Sequence, residues 1–387
     1  MSSWRTRNLW ALSLVSLTQD AASELLYPLM PILLTSVLGA PVAVVGMIEG
    51  AAEGAASLTK LASGKISDRI HRRPLIFLGY GAAAVGKIVI ALAAVWPVVL
   101  VGRVVDRLGK GVRSAPRDAL LVENVERKDR GKVIGFHRSA DTLGAVIGPL
   151  LGLLALNYYH GDVRKALWIA VIPAVLSVVF VSFARDTRRT ETTTKDFPEP
   201  VPLPSGLKRL ITVLTIFGLA NFPDALLLLH VHEIGFSVTG VVGAYVLFNI
   251  SYALLAFPAG ALSDRLPRHI VYSIGLLCFG VAYVGLALTK SHFFTILLLI
   301  IYGGFAACND AVGKAWVSTL APDEAQGWAQ GLFQGLTGGA ILVAGIWAGL
   351  TWNLGSGSGM VPLVISGSLG FLVAFALMSG RLVRHEN

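Results

Sequence analysis

The 387-residue chain alternates long apolar runs with short polar turns. The runs fall near 9–36, 42–63, 75–95, 97–121, 132–158, 165–184, 209–231, 239–261, 270–289, 293–320, 326–352 and 360–381. A helix rising 1.5 Å per residue needs about 20 mainly apolar residues to cross a hydrocarbon core of about 30 Å. The pattern therefore predicts twelve membrane-spanning helices. Barrel strands are excluded because the runs are too long and lack a two-residue alternation. In lipid the backbone must satisfy its own polar groups, which selects helices.

Composition agrees: 54% of residues are hydrophobic, 14% charged, and the mean hydropathy is +0.68. Soluble domains carry roughly 25% charged residues. A net charge of +9 would suggest a nucleic-acid partner in a soluble protein, so the location of the basic residues decides its meaning. They occupy alternate connections: Arg5 and Arg7; Lys65, Arg69, Arg72 and Arg73; Arg127, Lys128 and Arg130; Arg185, Arg188, Arg189, Lys195, Lys208 and Arg209; Arg265 and Arg268; Arg381 and Arg384. The opposite connections hold only Arg164, Lys165 and Lys290. The positive-inside rule then puts both termini and the central loop in the cytoplasm, with the chain multi-pass in the inner (plasma) membrane. Charge here is topology, and no nucleic acid is expected. Cys278 and Cys308 lie in apolar runs without metal or redox spacing and read as buried free thiols. Trp10, Trp96, Tyr158 and Trp352, near run ends, read as interface anchors.

The polar stretch 185–208 is rich in Pro, Thr and charge and reads as a cytoplasmic linker between a bundle over 1–184 and a second over 209–387. An internal repeat supports the division. GKISDR at 64–69 recurs 196 residues later as GALSDR at 260–265, and Gly131/Gly327 and Gly135/Gly331 share that offset. The fold class is thus an all-α membrane protein with two pseudo-symmetric six-helix bundles, an arrangement that places binding sites between repeats.

GKISDRIHRRP at 64–74 resembles the loop signature between spans 2 and 3 of the major facilitator superfamily, with Ile66 in place of Leu and His71 in place of Gly. The resemblance implies a cytoplasmic latch built on Gly64, Asp68, Arg69, Arg73 and Arg113, repeated at Asp264 and Arg265. Gly144-x-x-x-Gly148-Pro149-x-x-Gly152 in span 5 resembles the pattern of the family's drug and metabolite antiporters, and small residues at this spacing also let helices pack closely. Arg103 resembles the family's fourth-span Arg, with Asp106 where Gln is usual and Arg107 where Gly is usual. The resemblance further implies alternating access of two bundles, no bound cofactor, energy from a proton or other ion gradient, and a monomer.

Charges inside a span cost about 2.5–3.5 kcal/mol each on insertion scales and normally face one another or a cavity. Spacing i, i+4 puts Asp20 with Glu24 and Glu49 with Glu53 on single helix faces. Arg103, Asp106, Arg107 and Lys110 stripe span 4, and His137, Arg138 and Asp141 sit in span 5. These form the expected proton-coupling or central-cavity set, the alternative being a static ion-pair network. The offset maps Glu53 to Asn249, Arg103 to Leu299, Arg107 to Gly303, Lys110 to Ala306, His137 to Phe333, Arg138 to Gln334 and Asp141 to Thr337. The scaffold is repeated and the charges are not. Candidates for the substrate pocket are Gln19, Tyr27, Asn221, Asp224, Asn249, Asn309 and Asp310. His230, His232 and Glu233 at the end of span 7 lack further ligands, so no metal site is assigned.

The expected activity is secondary transport of a small molecule, since no phosphate-binding loop is present for ATP. Export of an organic solute or drug against protons is favoured by the span 5 pattern. Proton-coupled uptake of an anionic metabolite is favoured by the span 4 stripe, and metal or chelate export ranks lower. No catalytic constellation accompanies His137 and Asp141, so neither an enzyme nor a receptor is expected.

Overall fold

The computed structural model describes residues 6–67, 72–121, 125, 130–185, 203–263, 265–322, 326–355 and 357–379, and every regular element among them is helical. Helix α1 (Arg7–Leu26) begins at Thr6, whose hydroxyl accepts from Leu9 N–H at 3.1 Å. It continues irregularly through a 3-10 turn at Tyr27–Leu29 and a π-turn at Leu33–Val37. The cause is local: Pro28 and Pro31 lack the N–H that a regular helix would use. Then come α2 (Val42–Ser67), α3 (Arg72–Leu92), α4 (Trp96–Leu121), α5 (Arg130–Tyr158) and α6 (Val163–Val181). Helix α6 is capped by Asp162, whose carboxylate accepts from Lys165 N–H at 3.1 Å. That bond holds the Asp162 carboxyl below the usual carboxylate range.

The apolar run 209–231 is not one helix. It forms α7 (Ser205–Gly218) and α8 (Asp224–Glu233), parted at Asn221–Pro223 because Pro223 cannot continue the backbone ladder of α7. The remaining helices are α9 (Val238–Ser263), α10 (Arg268–Leu288), α11 (His292–Leu320), α12 (Gln326–Leu350) and α13 (Met360–Met378). Among the described residues nine helices are long and apolar enough to cross a membrane. The other three predicted runs are helical as well. Charges in α1 and α4, and the break between α7 and α8, remove them from that set.

The chain divides into two compact units, Met1–Ala40 with Ala51–Thr193, and Pro41–Gly50 with Thr194–Asn387. In the first, α1 packs along α5 and α6, and α3 along α4 and α6. The start of α1 is tied to the end of α6: Asn8 Nδ2 donates to Arg185 O and its Oδ1 accepts from Arg185 N, both at 2.8 Å. In the second, α10 packs along α11 and α13, α9 along α11, and α7 along α12. Pairing α3 with α4 and α6 thus recurs as α10 with α11 and α13, the repeat read from the sequence.

Close packing depends on glycines. A Cβ on Gly86 of α3 would lie 2.5 Å from Gly102 O of α4, and one on Gly109 would lie 2.3 Å from Gly79 O. The span 5 glycines do the same against α1: Gly144 meets Leu17 O and Gly148 meets Ala21 O, each at 2.4 Å, while Gly152 is looser at 3.6 Å from Leu25. Gly359, which starts α13 at φ 76°, lies flat on the Trp352 ring. Trp352 is fully buried and its Nε1 donates to Glu233 Oε2 at 2.8 Å, so it is a core residue and not the interface anchor its place near a run end suggested. Cys308 is buried as expected, whereas Cys278 is only half-buried.

Overpacking a tight helix crossing costs about 1–3 kcal/mol. We therefore expect Gly86→Ala to lower the thermal unfolding temperature of the purified protein by several degrees. Gly81→Ala, on the same helix but with open space at its Cβ, should leave it unchanged.

Candidate functional site

The best-satisfied charge cluster lies between α3 and α4. Lys87 Nζ stands 2.7 Å from Asp106 Oδ1, and Arg103 Nη1 stands 3.4 Å from Asp106 Oδ2. Lys87, Arg103 and Asp106 are at most 3% exposed. The guanidinium of Arg103 also sits 5.6 Å from the centre of the Tyr27 ring, bridging α4 to the end of α1. Two cations share one carboxylate, so none of the three charges is buried without a partner. Lys87 was missed in the sequence, although a lone Lys within the run 75–95 is a visible signal. Further along α4, Arg113 is buried, with its guanidinium 4.4 Å from the centre of Tyr80 and Nη1 3.5 Å from Gly79 O. It serves the α3–α4 contact.

A second cluster joins α1, α4 and α5. His137 is buried, with Nδ1 3.4 Å from Ser13 Oγ and Nε2 3.6 Å from Asp141 Oδ1. Arg138 Nη1 is 3.7 Å from Asp141 Oδ2, and Arg117 Nη1 donates to Ser16 Oγ at 2.9 Å. The carboxylate of Asp20 interacts electrostatically with Asp141, and also with Lys110, Arg113 and Arg117. Glu53 interacts most strongly with Arg107 and then Lys110. Lys110 lies on an exposed part of α4. Glu49 and Glu53 lie one turn apart on α2, and Glu49 is buried. Glu24 is half-buried on α1, its Cβ beside Gly148.

Several other candidates turn out to have structural partners. Gln19 is fully buried and accepts from Ser177 Oγ of α6 at 3.1 Å. Asn249 Nδ2 donates to Tyr245 O on its own helix at 3.0 Å, and Asn309 Oδ1 accepts from Tyr272 OH at 2.6 Å. Arg73 Nη2 donates to Ser182 O at 3.0 Å, and Arg265 is exposed after α9. Asp68, Arg69 and Asp264, and the surroundings of Gly64 and of the Asp310 side chain, lie outside the described residues. His230 is buried, with Nδ1 2.6 Å from Ser358 O and Nε2 3.1 Å from Leu286 O. Both ring nitrogens face backbone carbonyls, the positions a metal would need. Among the described residues no group of three or more His, Cys, Asp or Glu is placed to hold a metal ion.

In the second unit Asp224 opens α8, and its Oδ1 accepts from Tyr302 OH of α11 at 2.5 Å. The two residues help line a small, mostly apolar recess with Leu227, Leu228, Tyr245 and Phe248. Phe248 and Tyr302 stack with ring centroids 5.3 Å apart, and the Tyr302 ring lies 5.7 Å from that of Tyr283. The 196-residue offset maps Lys87 to Tyr283 and Asp106 to Tyr302. Where the first unit buries an ion pair, the second buries two tyrosines.

A family model describing the major facilitator superfamily matches residues 12–244 and 210–386. The chain belongs to the major facilitator superfamily. Membership makes it a multi-pass membrane transporter of small molecules and not an enzyme. It is 30% identical over 376 residues to an uncharacterised MFS-type transporter of Methanocaldococcus jannaschii, covering 94% of each chain. It is 26% identical over 368 residues to the multidrug resistance protein MdtH of Proteus mirabilis, covering 91% of this chain and 89% of that one. A mutant of the nucleoside transporter NupG superposes with a TM-score of 0.81 at 14% identity, over 96% of this chain and 99% of that one. A bacterial homologue of the human lysosomal transporter Spinster superposes with a TM-score of 0.78 at 16% identity, over 98% of each chain. Those two likenesses show the superfamily fold alone.

Removing one partner of a buried ion pair costs about 3–5 kcal/mol. Lys87→Met should therefore destabilise the transporter by that order in a denaturant or thermal titration. Asp106→Asn should cost much less in the Lys87→Met background than alone, a coupling of about 1–3 kcal/mol.

Proposed function

We propose that the chain is an inner-membrane antiporter of twelve spans with both termini cytoplasmic, in which two six-helix halves expose a substrate alternately to either side. It exports a small organic solute or drug in exchange for protons, and needs no cofactor beyond the gradient. The observation that supports this most is the pair of carboxylates Asp20 and Asp141, interacting within the first unit beside His137. Two like charges held in one partly buried site are a natural seat for a proton. They lie along the α1–α5 crossing that Gly144 and Gly148 make tight, so any motion of α1 against α5 changes the surroundings of both acids. The MdtH relative, a multidrug resistance protein by name, favours export.

One observation favours the second reading, proton-linked uptake of an anionic metabolite. Arg107 Nε is buried and has no hydrogen-bond partner among the described residues, as an anion-binding guanidinium would.

Inverted vesicles, whose lumen is acidified and monitored with a quenched acridine dye, separate the two. A panel of organic cations, nucleosides and organic anions is added outside, against the cytoplasmic face. Antiport predicts that at least one solute discharges the gradient with the wild type, and that none does with Asp20→Asn or Asp141→Asn. A solute that instead deepens lumen acidification indicates symport, and no response to any solute contradicts proton coupling.

A further inference from the structure

The span α6 ends at the membrane surface with carbonyls that no further helical turn satisfies. Two arginines from other helices meet them. At the start of α3, Arg73 Nη2 donates to Ser182 O at 3.0 Å, and at the start of α1, Arg7 Nε donates to Phe183 O at 3.1 Å. The two carbonyls are consecutive, so the two guanidiniums converge on one turn. Arg185 is held beside that turn by its backbone, which donates to and accepts from the Asn8 side chain. All three arginines are exposed. Three cations gathered in this way repel one another, and each gains from an anion placed among them.

Below the arginines the same helices turn apolar side chains outward. On α1, Trp10 and Leu14 follow Arg7 at i+3 and i+7; on α3, Phe77 follows Arg73 at i+4; on α6, Val179 precedes Phe183 by one turn. Each of these five is between 45% and 53% exposed. A basic cluster above an outward apolar surface matches an anionic head group above acyl chains. A soluble phosphate would leave the apolar surface unused, and a zwitterionic head group would bring a cation of its own to the arginines. The 196-residue offset maps Arg7 to Leu203 and Arg73 to His269, so the repeated scaffold does not require these cations. A bias of basic residues to one side of the membrane accounts for Lys208 and Arg209 at the start of α7 as well as for Arg7. It does not account for guanidiniums from separate helices meeting on one turn.

We infer that the corner of the first unit where the starts of α1 and α3 meet the end of α6 is a binding site for an anionic phospholipid. Arg7 and Arg73 hold its phosphodiester, Arg185 adds charge beside it, and the acyl chains lie against Trp10, Leu14, Phe77 and Phe183. The bound lipid ties the three helix ends together. This inference rests on the chain being a membrane protein and is independent of the exporter reading, its cargo and its coupling ion.

Native mass spectrometry of the purified full-length protein, titrated with dioleoylphosphatidylglycerol or dioleoylphosphatidylcholine, tests it. The wild type should bind the anionic lipid about tenfold or more tightly than the zwitterionic one. Arg7→Gln and Arg73→Gln should each lose about fivefold in affinity for phosphatidylglycerol, and the double variant should lose most of the preference. Replacing both by Lys keeps the charge and should keep the preference. The charge-matched control Lys208→Gln, Arg209→Gln in the second unit should also keep it. If the double Gln variant does not fold, the two single variants decide. Equal binding of the two lipids by the wild type overturns the inference, as does an undiminished preference in the folded Gln variants. An equal loss in the second-unit control also overturns it, because the attraction would then be that of net charge alone. Displacement of phosphatidylglycerol by millimolar glycerol 3-phosphate overturns it in favour of a soluble phosphate.

Discussion

A charge carried into a helical bundle must find its partner there, because the desolvation of an unpaired ion would consume much of the stability of a whole domain. The ion pair of Lys87 and Asp106, reinforced by Arg103, is where this constraint acts most strongly. Meeting it requires α3 and α4 to approach until their backbones nearly touch, which only Gly79, Gly86, Gly102 and Gly109 allow. The same crossing places Arg103 over Tyr27 and Arg113 over Tyr80, so the basic stripe of α4 is held by rings from the neighbouring segments and by the carboxylate of Asp106 on α4 itself. With those cations fixed, Arg107 is left to offset Glu53, and Asp20 and Asp141 are left as the acids on which the proposed coupling depends.

The repeat gives this arrangement its meaning. Both units pair their third and fourth helices by the same packing, yet one buries a salt bridge at positions 87 and 106 and the other buries tyrosines at 283 and 302. Fold alone therefore does not demand charge at this depth. In the function proposed above the first unit carries the titrating groups, while the second sets Asp224, brought in by a helix break that the first unit does not copy, against Tyr302. The first unit's corresponding segment, Tyr27 to Ile32, stays helical through two prolines and offers Arg103 a ring in place of a carboxylate.

Much of this was legible from the chain. Helix positions followed from run length, because lipid allows few alternatives, and the 196-residue offset anticipated the shared packing of α3 with α4 and α10 with α11. The pairing of His137 with Asp141 followed from i, i+4 spacing on one helix. What spacing along one helix cannot give is the partner on another. Lys87 and Asp106 are 19 residues apart and meet only because two glycine faces align. Gln19 looked like a pocket residue until α6 supplied Ser177, and Trp352 looked like an anchor until Gly359 and Glu233 enclosed it. The break at Pro223 was visible in composition but hidden by the apolar residues on both sides of it.

The claim that the first unit carries the proton is tested most directly by infrared difference spectroscopy of the reconstituted protein between acidic and alkaline pH. The wild type should show the C=O stretch of a protonated carboxyl in the acidic state, and the Asp20→Asn, Asp141→Asn double variant should lose a component of it. An unchanged band in the double variant would contradict the claim, since the proton would then sit on groups outside the first-unit pair.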